Sequence, residues 1–202
     1  MKIALDTMGG DNAPLSNING AKLFLENHPD TKVSVILVGN KDKIENNIKK
    51  VDLDLNRIEI VHAPDIISMD EPKPAFAFKN KPNSSLVKAI QLVNNNDAQA
   101  VVSAGNTAAL LSSSLFILGK IKGIKRPTLA TFIPTQTDGF ILSDVGANTD
   151  VRPIHILQFG IMASLYVKNI KKIDNPRIGL LNIGSEENKG NNLTLSAYRL
   201  LE

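Results

Sequence analysis

The chain has 202 residues, 43% of them hydrophobic and 21% charged, with no cysteine and no tryptophan. That balance suits a globular protein rather than a disordered or collagen-like one, and zero cysteine excludes disulfides, thiolate zinc sites and a cysteine nucleophile. Lysine and arginine number 23 against 20 acidic residues, a net charge of +3, which favours an anionic ligand. With seven phenylalanines and two tyrosines, mostly in apolar surroundings, nothing suggests the basic, ring-lined stripe of a nucleic-acid binder.

The apolar run of Met1-Lys2-Ile3-Ala4-Leu5-Asp6 is too short for a secretory leader, so the cytoplasm is the expected location. Ile3–Leu5 reads as a first strand. After a Gly-rich turn, a helix is expected from about Pro14 to Asn27. Val33–Val38 is a second strand, followed by a solvated helix in the charged segment 40–50. Ile58–Val61 is a third strand. The segment 64–82, with prolines at 64, 72, 74 and 82, is either a plain surface loop or a flap beside a site.

Residues 84–94 read as a helix, 100–102 as a strand and 107–118 as a helix. Ala98–Gly119 lacks charge over a membrane-like length. Its serines, Asn106 and the Gly105-Asn106 turn make it a buried strand and helix instead. Leu129–Ile133 and Phe140–Val145 resemble paired strands, and 154–168 a helix buried on most sides. Arg177–Asn182 is read as the last strand. Leu193–Glu202 is an amphipathic helix with no stop signal, so the chain reads as a single α/β domain over 1–202, cut short at its C-terminal end. Strands alternating with helices imply a mostly parallel sheet covered on both faces.

Four turns carry glycine beside small polar residues: Met8–Asn12, Ser103–Thr107, Asp144–Asn148 and Asn182–Glu186. At the carboxyl edge of one parallel sheet they would form a phosphate-type site. Glycine lets a ligand approach the backbone, and helix N-termini offer free N–H groups to anions. There is no G-x-G-x-x-G, G-x-S-x-G or H-E-x-x-H. Gly179–Gly184 has P-loop glycine spacing, but Ser185 stands where lysine is needed. His28, His62 and His155 are scattered and read as structural. No cofactor or metal is expected. Inorganic phosphate is itself a nucleophile that needs positioning more than a strong base. Asn106, Thr107, Asn148, Lys189 and backbone amides are suitable donors for phosphate and for an oxyanion.

The same turns carry a family resemblance. Asp6-Thr7-Met8-Gly9-Gly10-Asp11-Asn12-Ala13-Pro14, Val102–Thr107, Arg126-Pro127, Asp144–Asn148 and Gly179–Asn191, in this order, resemble the bacterial phosphate acyltransferases of the PlsX type over nearly the whole chain. The resemblance implies transfer of a long acyl chain from acyl carrier protein to inorganic phosphate, giving acyl phosphate for phospholipid synthesis. It implies a three-layer α/β/α fold like that of isocitrate/isopropylmalate dehydrogenase, a homodimer, and peripheral contact with the inner membrane face. On this basis Lys189, Asn106 and Asn148 are the catalytic candidates. Asp6, Gly9, Gly10, Asp11, Ser103, Gly105, Thr107, Asp144, Gly146, Gly184 and Ser185 are the candidates for substrate and phosphate binding. Three features depart from the family: Ala108 in place of the usual glycine, Phe76 and Phe78 where relatives carry basic residues, and a family pattern that continues past residue 202. A phosphotransacetylase-like enzyme using acyl-CoA, or a non-catalytic phosphate- or acyl-binding fragment, are the alternatives.

Overall fold

The computed structural model describes residues 1–51 and 53–202. Met1–Gly119 and Lys120–Glu202 form two compact units. The first runs β1 (Lys2–Asp6), α1 (Leu15–Asn27), β2 (Ser34–Gly39), α2 (Lys41–Ile48), β3 (Ile58–His62), α3 (Ala77–Asn80), α4 (Ser85–Asn94), β4 (Ala100–Ser103) and α5 (Thr107–Ile117). Its four strands lie in the order β3-β2-β1-β4 and are parallel throughout. Ala4 of β1 pairs with Ile36 on one side and Val101 on the other.

The strand run Val35–Val38 is buried along its whole length, because alternate side chains enter two different cores. Val35 and Leu37 pack with Ile18, Ala21 and Leu25 of α1 and Ile44 of α2. Ile36 and Val38 pack with Ala4 and with Ala89 of α4. Helices thus cover both faces of this sheet, and the expected α/β layering holds here. Helix starts are fixed locally: the side chains of Asn40, Ser84 and Asn106 accept the N–H of Lys43, Val87 and Ala109. Each cap satisfies a donor that a helix N-terminus leaves unpaired.

The second unit holds β5 (Ala130–Pro134) and β6 (Gly139–Ser143), an antiparallel pair, then α6 (Pro153–Tyr166) and α7 (Asn192–Leu201). The paired strands expected around 129–145 are present. Helix α6 passes into a π turn at Val167–Lys171. It is not buried on most sides: only His155 and Phe159 are buried, while Ile161, Leu165 and Tyr166 are exposed. The strand expected at 177–182 does not form. This segment pairs with no strand among the described residues, and Leu181 and Ile183 are 82% and 86% exposed. Apolar β-formers make a strand only where a partner ladder satisfies the backbone. Here the Asn182 side chain folds the chain back instead, donating to the Lys189 carbonyl and accepting the Ile183 N–H. Among the described residues no helix is long and apolar enough to cross a membrane.

Candidate functional site

The order β3-β2-β1-β4 places the topological switch between β1 and β4, since the chain leaves β1 toward β2 and returns on its other side. Crevices at the carboxyl ends of such strands are where parallel sheets take ligands. The two turns expected to bind phosphate in this unit both lie there. Gly105 comes so close to Gly9 that a Cβ on Gly105 would stand 3.3 Å from the Gly9 Cα. Gly10, at φ +95°, lies against Ala104. Glycine is needed at Gly9 for space, because a Cβ there would reach 2.9 Å from the Gly105 nitrogen and 2.5 Å from an Asp6 carboxylate oxygen.

Asp6 joins the two turns from beneath. The Ser103 hydroxyl donates to its Oδ2 at 2.7 Å and accepts the Gly105 N–H at 3.0 Å. Asp6 is 2% exposed and its Oδ1 has no hydrogen-bond partner. Burial pushes its carboxyl above the usual range; Ser85, Ser103 and the Met8 and Gly9 amides pull the other way without cancelling that push. Of these groups, Ser103 has full hydrogen-bond geometry. A buried carboxylate would repel phosphate, so the geometry fits Asp6 to bracing the turns rather than to touching an anion.

The turns leave donors unpaired. Among the described residues no protein acceptor takes the backbone N–H of Gly10, Asp11, Asn12, Thr107 or Ala108. The last two begin α5, where the helix dipole favours negative charge. Asn106 is spent structurally: its Oδ1 caps Ala109, and its Nδ2 donates to the Met69 carbonyl at 2.9 Å. That bond ties the 64–82 loop to the turn. Lys81 ties the same loop at its other end, through the Ile66 carbonyl and Glu71.

One residue that the sequence did not mark is Asn17 of α1. Its Nδ2 donates to the carbonyls of Thr7 and Gly9, at 2.9 and 2.8 Å, and so holds the β1–α1 turn in shape. An asparagine in the first turn of a helix following a Gly-Gly turn was the available signal.

The candidates in the second unit form two separate groups. Asp144 accepts from Thr128, from the Leu129 N–H and from both the backbone and side chain of Asn148. Burial pushes its pKa up, but these donors outweigh it and hold the carboxyl below the usual range. Asn148 also donates to the Pro127 carbonyl. Gly146, at φ +111°, turns the chain between them. This turn follows an antiparallel strand, and the Gly184–Lys189 turn follows no strand. The four turns therefore do not share one parallel-sheet edge; two of them do. Gly184 packs against Lys189, and Ser185 is exposed. The Lys189 ammonium is half-exposed and pairs with Glu186 at 3.9 Å. Asp144, Gly146 and Asn148 line a groove of about 1210 Å³, together with Phe159, Arg177 and Leu180; Lys189 is not part of that lining.

The histidines are occupied structurally. The His62 and His155 Nδ1 atoms accept the N–H of Lys41 and Arg152, and His28 packs on Phe24.

Comparison with known proteins places these turns in context. The chain is 48% identical over its whole length to a phosphate acyltransferase of Dictyoglomus thermophilum and 47% identical to one of Desulforamulus reducens. It spans 59% of the length of each. Its fold is similar to that of the EutD phosphotransacetylase from Staphylococcus aureus, with a TM-score of 0.72 at 17% identity, covering all of this chain and 63% of that one. A family model described as fatty acid synthesis protein matches residues 1–202. The resemblance read from the turns is borne out, and the chain belongs to the fatty acid synthesis protein family.

Proposed function

We propose that the protein transfers a long-chain acyl group from acyl carrier protein to inorganic phosphate, as one acyltransferase domain with the three-layer fold of the isocitrate/isopropylmalate dehydrogenases. The observation that carries this reading is the set of free amides at the β1/β4 switch point, on Gly10–Asn12 and Thr107–Ala108. They suit a phosphate held by backbone donors and a helix N-terminus. The names of the relatives support the reaction class.

In this reading a phosphate oxygen attacks the thioester carbonyl carbon. The carbonyl oxygen gains negative charge, the new C–O bond forms, and collapse breaks the C–S bond. Acyl phosphate and the carrier thiol are the products. The amides orient the nucleophile; positive charge for phosphate or oxyanion is the role that the family resemblance implies for Lys189. Asp6 and Asn106 act by fixing the donors; Asn148 and Asp144 fix the turn that follows β6. A homodimer in the cytoplasm with peripheral membrane contact completes the proposal.

The test is to incubate the protein with phosphate and either an acyl carrier protein thioester or acyl-CoA, and to trap acyl phosphate as the hydroxamate. Product from the carrier thioester is expected. Product from acyl-CoA alone would replace this reading with a phosphotransacetylase-like one, to which the EutD fold likeness lends weight. Phosphate binding by calorimetry without product would make the chain a binding module. Lys189→Ala should abolish turnover while unfolding free energy moves by no more than about 0.5 kcal/mol, as for other exposed positions. Normal turnover in that variant would remove Lys189 from the mechanism.

A further inference from the structure

We infer that the crevice between the β1–α1 turn and the 66–70 loop is the seat of a linear acyl chain. This rests on the acyl-transfer reading above and gives the acyl group a place in it. The crevice has a volume of about 450 Å³, within the range of small-ligand pockets. Its apolar lining is Met8, Ile66, Ile67 and Met69, and the rest of the lining is Gly10, Asp11, Ser68 and Asp70. Met8 and Ile67 are buried, whereas Met69 is 48% exposed. Thioether and aliphatic side chains of this kind adapt to a flexible apolar guest.

Charge decides between the two parts of the substrate. The charged residues in the lining are Asp11 and Asp70, and none of the lining residues is cationic. The neighbouring Ser68 holds the Asp70 carboxyl below the usual carboxylate range. Lys81, which ties the same loop, is engaged by Glu71 at 2.7 Å and by the Ile66 carbonyl. With two carboxylates and no cation, an anion lying against the 66–70 wall is disfavoured and an uncharged chain is not, while phosphate is left to the backbone amides of the turn. The 1210 Å³ groove of the second unit differs in this respect, since Lys171 and Arg177 are in its lining.

The crevice wall is also held in place beside the candidate phosphate site. Asn106 caps α5 with one side-chain atom and grips the Met69 carbonyl with the other. Gly10 is in both the lining and the turn whose amides have no protein acceptor among the described residues. A chain lying on Met8 and Met69 would thus run alongside the donors that orient phosphate, and the 66–70 part of the segment read as a plain surface loop or a flap beside a site becomes its wall.

Two measurements on the 202-residue protein test this. In the first, a twelve-carbon fatty acid with a terminal diazirine is photolysed with the protein and the adducts are mapped by peptide mass spectrometry. Adducts on Met8 and on 66–69 are expected; adducts confined to 139–181 overturn the inference. In the second, four- to twelve-carbon acyl-pantetheines are titrated calorimetrically. Each methylene that enters should tighten binding by up to about fourfold, the equivalent of ~0.8 kcal/mol. Met69→Lys should weaken the twelve-carbon ligand at least about tenfold and flatten the chain-length dependence, because it sets an ammonium in the apolar path. An unchanged dependence in that variant also overturns the inference. The readouts need no turnover. Labelling of 66–69 without acyl phosphate formation from any donor would refute the proposed reaction and leave the acyl seat standing; turnover with labelling elsewhere would do the reverse.

Discussion

The two units of this chain use similar residues to different ends. Among the described residues, every buried apolar side chain except Phe159 and Ala197 belongs to Met1–Gly119. There a parallel sheet lies between helices, and three apolar clusters form. In Lys120–Glu202 an antiparallel hairpin and two helices leave Ile161, Leu165, Ile178, Leu181 and Ile183 exposed. Composition does not separate them. What separates them is the strand ladder, which in the first unit brings side chains to both faces at once and in the second stops at two strands.

The largest expected effect tests this contrast directly. Leu37 is fully buried in the central strand β2, so Leu37→Ala should cost about 2–5 kcal/mol of unfolding free energy. Leu181→Ala, at 82% exposure, should change it by no more than about 0.5 kcal/mol. Urea unfolding followed by far-ultraviolet circular dichroism is the suitable readout, since both tyrosines, Tyr166 and Tyr198, lie in the second unit and report on it alone. A comparable loss in the two variants would mean that 177–183 is packed in solution, and the contrast between the units would fail.

The same contrast explains what could be read from sequence. The first unit was legible because its signals are local: Val33–Val38 is a run that only a doubly covered strand tolerates, and Asn106 after Gly105 caps the helix that follows. The turns at 8–12 and 103–107 were found as candidate phosphate turns for the same reason. Their meeting at one sheet edge was expected from the parallel pattern, but the strand order that sets β1 beside β4, and the Asp6–Ser103 bond between residues 97 positions apart, were not legible. Arg177–Asn182 failed in the opposite way. Its apolar β-rich composition is a strand signal, but composition cannot supply a partner, and Asn182 turned the chain back. The apolar run 154–168 forms the expected helix but without the expected burial, since hydrophobicity states a preference for burial and not the presence of something to bury against.

A middle-sized effect compares two asparagines. Asn106 caps α5 and holds the 64–82 loop through Met69. Asn106→Ala should cost about 1–2 kcal/mol, the usual range for a lost cap plus a lost hydrogen bond. It should also speed hydrogen exchange at 66–70. Asn148→Ala removes its side-chain donation to Pro127 and Asp144 but leaves its backbone N–H on the carboxylate. The expected loss is about 1 kcal/mol, with exchange at 66–70 unchanged. Faster exchange at that loop in neither variant would show that Asn106 does not hold it.

The smallest effect, read as a slope rather than a loss, sets the two anchoring carboxylates against each other. Asp6 has its pKa raised in the folded state, first by desolvation. The folded protein therefore binds more protons than the unfolded chain between the ordinary aspartate value and the raised one, and stability falls as pH rises through that window. Asp144 has its pKa lowered: burial acts upward, but the Leu129 and Asn148 amides with Thr128 prevail. Its contribution is complete above the ordinary aspartate value and is lost as pH falls through the lowered one. Asp6→Asn should remove a downward slope above the ordinary value, and Asp144→Asn an acid-side loss below it. Urea midpoints measured at intervals from acid to neutral pH separate the two. If both substitutions altered the profile on the same side of the ordinary value, the opposition between a carboxyl starved of donors and one saturated with them would not survive.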